Sequence, residues 1–241
     1  TAVASPITTS ATATAREAEP ERTPFLDDRR LAGIGALTFA GLVISTNVVL
    51  GGSPAHDASA AEVTQFLTDH RAMNLYSTAA FALGAPFLVA FGTGFYSRLR
   101  KAGRAVDATW ARMGMAGALL ILPTFAAVVT SRLALLVGGD EIIGTPELVS
   151  LLWRLEMSAF LVNSLPLGIG LLGFGIAGSR AGLLPKFFRW LAPVGAACGV
   201  LSAATAVSTL EGAPTLAFGF VAFASWMLLL ITGGIRQLRA A

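Results

Sequence analysis

The sequence predicts an all-α integral membrane protein with six transmembrane helices, and three observations lead to this prediction. The mean hydropathy is +0.70, and 54% of the residues are hydrophobic whereas only 13% are charged, about half the charged share of soluble domains. The apolar residues form continuous runs of about 20 residues, which is long enough for a helix to cross a hydrocarbon core. These runs lack the alternation of barrel strands, so helices are the expected form.

The predicted spans follow one another in a single domain, residues 31–241, and each is a continuous apolar run. They cover residues 31–50, 73–97, 111–137, 148–178, 190–210 and 215–235. Residues 1–30 are different, because Thr, Ala, Pro and mixed charges dominate and cannot build a core. This pattern predicts a cytoplasmic tail of the disordered type. If the tail is ordered, we expect another membrane subunit to hold it, since it buries too little apolar surface to fix itself.

The basic residues predict the orientation of the spans. Of the 17 Lys and Arg residues, 14 lie before the first span, after the last, or in the turns that follow the second and fourth, with Arg112 counted at the start of the third span. They are Arg16, Arg22, Arg29, Arg30, Arg98, Arg100, Lys101, Arg104, Arg112, Arg180, Lys186, Arg189, Arg236 and Arg239. Because positive charge stays on the cytoplasmic side, both termini are predicted to be cytoplasmic. The net charge of +3 then reflects topology and gives no indication of nucleic-acid binding.

The source and the first outer loop can also be read from the sequence. Arginine outnumbers lysine 15 to 2, and Ala and Gly are abundant, which is typical of a GC-rich bacterial source and therefore of a bacterial plasma membrane. In the first outer loop, Ser59 and Glu62 form a capping-box pattern before Val63, Phe66 and Leu67. This pattern predicts a short amphipathic helix on the outer surface.

Several kinds of chemistry find no support in the sequence. There is one cysteine, Cys198, so no disulfide or cysteine cluster is expected. The two histidines, His56 and His70, lie outside the predicted spans, and their spacing from neighbouring acids is not that of a metal site. The glycines of GIGLLG match a dinucleotide fingerprint, but they lie inside a predicted membrane helix and not after a strand. We therefore predict no catalytic residue, no metal site and no cofactor other than a bound lipid or quinone.

Three charged residues stand inside the apolar runs and call for an explanation. Arg132 lies roughly 8 Å inside the outer end of the third span, and Arg154 and Glu156 lie roughly 9 and 12 Å inside the fourth. Two positions apart on a helix, Arg154 and Glu156 point to nearly opposite faces and cannot pair with each other. Charges at this depth need partners. We therefore predict that Arg132 pairs with Glu156 across the third and fourth spans.

A second pattern falls on the same helices and predicts a cavity. Pro86, Pro123 and Pro166 lie near the middle of the second, third and fourth spans, where proline kinks a helix. Kinks there could open a cavity toward the outer face. The candidate ligand residues are Arg71, Arg132 or Arg154 at its mouth, with Glu156 near them, and Thr124, Asn163 or Ser164 on its deeper wall. The alternative is that Arg132–Glu156 is only an interhelical ion pair, Arg154 snorkels, and the prolines shape the bundle.

The order of several segments carries a resemblance to other proteins. DRRLAGIGAL, HDASAAEVTQFLTDHRAMNLYS, FYSRLRKAG and GLLPKFFRWLAPVGAACGVLS resemble a broad group of uncharacterised bacterial six-helix membrane proteins, held as a domain of unknown function. The shared features are a charged start to the first helix, an Ala-rich outer loop ending in Arg71, and a turn at residues 182–185. The resemblance implies the six-helix fold and supplies no catalytic residues.

Two functional hypotheses follow. The first is a non-enzymatic accessory or structural subunit of a larger membrane complex, with a lipid or quinone-like amphiphile bound between the second, third and fourth spans. The second is a small membrane enzyme or transporter that handles an anionic amphiphile through the outer-leaflet arginines, with Glu156 or His70 as an acid–base partner. Catalysis would require a nucleophile and base, or a metal, within the bundle. Placement of Glu156 and His70 on one polar cavity would favour the second hypothesis.

Overall fold

The regular structure is helical throughout the part of the chain that the structure describes. The computed structural model describes residues 27–49, 51–102 and 105–239, so the predictions for residues 1–26 of the tail lie outside the described residues. The helices are Asp28–Val49 (α1), Ala60–Asp69 (α2), Arg71–Lys101 (α3), Ala105–Val137 (α4), Gly139–Ile143 (α5), Pro146–Val162 (α6), Ser164–Arg180 (α7), Phe188–Ala204 (α8), Ala206–Leu210 (α9) and Leu216–Arg239 (α10). The all-α prediction is confirmed for these residues.

Five helical stretches are long and apolar enough to cross a membrane. They are Asp28–Val49, Arg71–Lys101, Ala108–Val137, Pro146–Arg180 and Leu216–Arg239. The fifth predicted span, residues 190–210, is shorter than expected, because α8 has 17 residues and is separated from α9 at Thr205. Helix α8 nevertheless packs against α7 and α10 as part of the bundle.

The fourth predicted span, residues 148–178, is interrupted in the structure. Helix α6 ends at Val162 and α7 begins at Ser164, with a turn at Asn163. Pro166 explains the position, because its nitrogen cannot donate to the carbonyl of Val162 and its ring crowds that carbonyl. Pro86 and Pro123 have a smaller effect, since α3 and α4 continue through them. The interruption places two buried polar residues, Asn163 and Ser164, at this point of the bundle.

Glycines bring two central helices into backbone contact. A Cβ added to Gly117 would lie 2.2 Å from the nitrogen of Gly170, and one added to Gly173 would lie 2.1 Å from the nitrogen of Gly114. No side chain larger than hydrogen fits at such distances, so α4 and α7 pack through their backbones. The glycines of GIGLLG thus serve helix packing. The surrounding core is aromatic and fully buried, with Phe39, Phe91, Phe95, Phe174, Phe188 and Trp226 among its largest side chains.

One end of the bundle is covered by short helices, and it is called the α2 end below. Helices α2, α5 and α9 all pack against α6 there. Helix α2 begins with the predicted capping box, in which the Ser59 hydroxyl accepts from the backbone of Glu62 and the Glu62 carboxylate accepts from the backbone of Ser59. Its buried face consists of Val63, Phe66 and Leu67, as predicted. This face packs with Trp153 and with the end of α4 in a second hydrophobic cluster.

Candidate functional site

A buried polar group joins three helices near the α2 end, and it is called the ion-pair node (Asn74, Arg132 and Glu156). Arg132 Nε donates to the two carboxylate oxygens of Glu156 at 3.0 and 2.8 Å, and Nη2 donates to the same carboxylate. Arg132 Nη1 donates to Asn74 Oδ1 at 2.5 Å. The exposed fractions of the three residues are 7% for Arg132, 1% for Glu156 and 0% for Asn74. The predicted Arg132–Glu156 pair is confirmed.

The surroundings of the ion-pair node hold its members in place. The guanidinium carbon of Arg132 lies 5.4 Å from the ring centre of Trp153, within reach of a cation–π contact. Trp153 Nε1 donates to the carbonyl of Ala55 at 3.2 Å, and Asn74 Nδ2 donates to the carbonyl of His70 at 3.1 Å. All three guanidinium nitrogens of Arg132 therefore have partners within the protein, which is the arrangement that buried charges require.

The other two misplaced arginines make no hydrogen bond to the node within the part of the chain that the structure describes. Arg71 Nη1 donates to the carbonyl of Leu136 at 2.9 Å, which satisfies one of the unpaired carbonyls in the last turn of α4. Arg154 is exposed on the face of α6 that carries Leu151 and Leu155, which are 62% and 51% exposed. The three arginines thus have different surroundings: Arg71 bonds a backbone carbonyl, Arg132 bonds Glu156, and Arg154 is exposed.

An apolar cavity of about 100 Å³ lies deeper in the bundle. It is bounded by the halves of α1 and α10 nearer the α2 end, by Phe81 of α3, by the middle of α4, by α8 and by the α6–α7 interruption. Phenylalanine and tryptophan side chains form much of the wall. The lining residues are Phe39, Val43, Asn47, Phe81, Ile121, Phe125, Phe160, Leu161, Asn163, Ser164, Leu167, Ser202, Leu216, Gly219, Phe220, Phe223, Trp226 and Met227.

The helix interruption supplies two polar residues to this cavity. Asn163 Oδ1 accepts a hydrogen bond from Thr124 Oγ1 at 2.5 Å. Ser164 Oγ donates to the carbonyls of Leu161, at 2.5 Å, and of Gly199, at 3.0 Å. The predicted deeper wall is thus present in Asn163 and Ser164, and Thr124 lies behind it as the partner of Asn163.

Two further polar side chains line the cavity, and each has a polar atom with no hydrogen-bond partner among the residues that the structure describes. Ser202 on α8 and Trp226 on α10 are each 1% exposed, and Ser202 Oγ and Trp226 Nε1 are unbonded. A Cβ added to Gly219, another lining residue, would come within 3.0 Å of Ser202 Oγ, so this hydroxyl faces α10. A buried polar atom without a partner destabilises a fold by about 1–3 kcal/mol. Both atoms are therefore candidates for ligand contacts.

The sequence did not single out these two residues. A serine in an apolar helix is usually read as a packing residue. Trp226 offered a stronger signal, because tryptophan in membrane helices is enriched at the interfaces, whereas this one lies near the middle of its apolar run. A buried indole also needs a partner for its N–H. The pairing of α8 with α10, which brings the two residues to one cavity, is visible only in the structure.

The predicted arginine mouth is wrong for this cavity. The exposed residues at its rim are Asn47 on α1 and Phe160 and Phe220 on the helices beside it, and no arginine lines it. Arg132 does not reach the cavity because Glu156 and Asn74 hold its guanidinium. His70 lies elsewhere too, on a separate surface depression beside α2. The cavity walls are consequently uncharged.

Known proteins add no further constraint on the site. No family model matches the chain, and neither the curated proteins nor the solved structures provide a match. Within the described ranges, no group of three His, Cys, Asp or Glu side chains is placed to hold a metal ion. The chemistry of the site therefore has to be argued from its own residues.

Proposed function

We propose that this protein is a non-enzymatic, six-span subunit of a membrane complex that holds the apolar part of an amphiphile, a lipid or a quinone, in the central cavity. The observation that carries the proposal is an apolar cavity lined by seven Phe and Trp side chains, whose lining residues include Ser202 and Trp226, with Ser202 Oγ and Trp226 Nε1 buried and unbonded among the described residues. Ligand pockets typically combine apolar walls with a few polar groups that fix orientation. The occupant reaches the cavity past Asn47 and Phe220 at its rim.

The topology in this proposal rests on helix lengths and on charge. Helix α8 has 17 residues, about 26 Å at 1.5 Å per residue, which is at the lower limit for a membrane span. Together with the five longer stretches it makes six spans, and an even number places both termini on one side. Since 14 of the 17 Lys and Arg residues fall on that side, we assign it to the cytoplasm of a bacterial cell. The α2 end is then outside.

Binding is favoured over catalysis by the composition of the cavity wall. Among the residues that line it there is no Asp, Glu, His, Cys, Lys or Arg. The hydroxyls of Ser164 and Ser202 lack a neighbouring base, which a serine nucleophile requires. The charged residues of the alternative hypothesis, Arg132 and Glu156, bond each other and so stabilise the fold. A role as an accessory subunit, with the tail as a contact for other subunits, agrees with such a site.

Filling the cavity tests the proposal. A neutral long-chain alcohol carrying a diazirine would be photolysed with the purified full-length protein, and the labelled peptides would be identified by mass spectrometry. In the wild type we expect labelling of peptides that contain the lining residues Leu161 and Phe223. Val43→Phe adds bulk at a buried lining position, 2% exposed, and should reduce this labelling about tenfold.

The same substitution outside the cavity provides the control. Val48 lies on the same helix but is 74% exposed, so Val48→Phe should leave the labelling unchanged. If Val43→Phe does not fold, Leu161→Phe introduces the bulk from α6. Equal labelling of the cavity peptides in a folded cavity-filling variant and in Val48→Phe would refute the proposal.

A further inference from the structure

We infer that the occupant of the cavity carries an uncharged carbonyl oxygen that accepts hydrogen bonds from Trp226 Nε1–H and Ser202 Oγ–H. This inference rests on the proposed function and names the chemical class of the ligand. Its basis is that both atoms belong to side chains only 1% exposed, that neither has a partner, and that both residues line the same cavity.

The identity of the unbonded atoms decides what the ligand must offer. Indole Nε1–H can only donate, whereas a serine hydroxyl can donate or accept. A hydrocarbon chain alone would leave the Trp226 donor unbonded in an apolar site. The ligand group that satisfies both residues is therefore an acceptor with two lone pairs, such as a carbonyl oxygen.

The walls of the cavity decide the charge of that acceptor. No Lys, Arg or His lines the cavity, and Arg132, an arginine of the neighbouring ion-pair node, is bonded to Glu156 and Asn74. A carboxylate or phosphate transferred into such a site would lose its hydration without gaining a counter-charge, which is strongly unfavourable. A neutral ketone, quinone or ester carbonyl does not meet this penalty.

The size of the cavity limits how much of the ligand it holds. Its volume of about 100 Å³ is smaller than an engineered protein cavity of about 150 Å³ that binds benzene. It therefore holds only a small part of the ligand, and the rest of an amphiphile extends past the rim. Phe220, which is 64% exposed, lies on this rim and would contact the extended part.

Two sources share this chemistry, a quinone ring and a lipid ester, and matched probes separate them. Decyl-1,4-benzoquinone, decyl benzoate and decylbenzene carry the same chain on a ring, and only the first two have a carbonyl group. Each would compete with the diazirine alcohol for labelling of the cavity peptides in the full-length protein. We expect a carbonyl probe to compete at concentrations several-fold lower than decylbenzene does.

Removing the indole donor tests the assigned contact. Trp226→Phe keeps an aromatic ring and removes the indole donor. The carbonyl probe should then need a concentration about two to ten times higher to compete, which corresponds to one neutral hydrogen bond. The concentration at which decylbenzene competes should stay unchanged. Trp190→Phe makes the same change at a position 80% exposed and should affect no probe. Ser202→Ala should act in the same direction as Trp226→Phe.

Each outcome has a distinct meaning. Selective competition by the quinone or by the ester supports the inference and identifies the source, and competition by both supports a general carbonyl site. If decylbenzene competes as well as both carbonyl probes, or if Trp226→Phe and Ser202→Ala leave the carbonyl advantage intact, the inference is overturned while the proposed function stands. If no probe competes and the cavity peptides are not labelled in the folded wild type, the proposed function itself fails.

Discussion

The ion-pair node and the cavity share α3, α4 and α6, yet the polar groups of the node are bonded whereas two polar atoms of the cavity-lining residues are not. In the node, Arg132 bonds Glu156 and Asn74 through all three guanidinium nitrogens. In the cavity, Ser202 Oγ and Trp226 Nε1 are unbonded. The node contains charged groups that are hydrogen-bonded to one another, whereas the described lining of the cavity contains no charged residue and has two neutral polar atoms without a partner.

This difference indicates that the node stabilises the fold, whereas the cavity is the part of the molecule suited to binding a ligand. A satisfied buried pair is complete without a ligand, and its removal affects the fold. Unbonded polar groups on residues that line a cavity can gain a hydrogen-bond partner only when a ligand binds. An unbonded group does not by itself indicate a ligand site, as Ser77 shows. Its hydroxyl is unbonded beside the node, but the adjoining gap is only about 10 Å³. Such a gap is at the lower limit for one water molecule, so it is no site for an amphiphile.

The largest effect is expected from breaking the ion pair on one side only. Glu156→Leu leaves the Arg132 charge buried without its main partner and should lower the free energy of unfolding by about 3–5 kcal/mol. Arg132→Met combined with Glu156→Leu should recover most of this loss, since no charge remains to be buried. Unfolding in mixed micelles, followed by circular dichroism, measures both variants. A loss under about 1 kcal/mol in the single variant would show that the pair is not buried as described.

A smaller loss is expected at the edge of the node. Asn74→Leu removes the acceptor of Arg132 Nη1, and a hydrogen bond to a charged group is worth about 1.5–3 kcal/mol. The same unfolding experiment should show a loss in this range, while photolabelling of the cavity stays at the wild-type level. Reduced labelling in folded Asn74→Leu would mean that the two regions are coupled and would remove the distinction between them.

Two serine-to-alanine changes compare a bonded with an unbonded hydroxyl in the same cavity. Ser164 Oγ bonds the carbonyls of Leu161 and Gly199, so Ser164→Ala should lower the free energy of unfolding by about 1 kcal/mol. Ser202 Oγ has no bond to lose, so Ser202→Ala removes an unpaired buried hydroxyl and should raise the free energy of unfolding by about 1–3 kcal/mol. Equal losses in ligand-free protein would indicate that Ser202 has a partner within the fold.

The smallest effect concerns the surface of the α2 end and its pH dependence. Hydrogen bonds from the Ser59 backbone and hydroxyl lower the pKa of the Glu62 carboxyl below its ordinary value of 4.5. The lowered pKa means that this contribution to the stability of α2 is present above pH 4.5 and is lost as the pH falls through the folded-state pKa. Amide hydrogen exchange in α2 should accelerate over this interval. Glu62→Gln, which does not titrate, should remove that part of the pH dependence, and an unchanged profile would argue against the capping box as its cause.

The sequence predicted the features that depend on local spacing and on depth. The capping box needs only Ser59 and Glu62 three residues apart. The ion pair needs only two opposite charges at similar depth in the membrane that have no other partner there. The arginine mouth failed because depth does not determine the direction of a side chain, and Arg132 turns toward Glu156. The sequence did not predict that Ser202 and Trp226 line one cavity, because they belong to different spans whose contact depends on helix packing.

The most direct test of the account measures how a ligand changes stability in these two regions. Decyl-1,4-benzoquinone at about 100 times its dissociation constant should raise the free energy of unfolding of the wild type by about 2.7 kcal/mol. The same increment is expected in Asn74→Leu, where only the node is altered, and none is expected in Val43→Phe, where the cavity is filled. An increment that neither this quinone nor decyl benzoate produces in the wild type at any concentration, or that is equally large in Val43→Phe, would contradict the account.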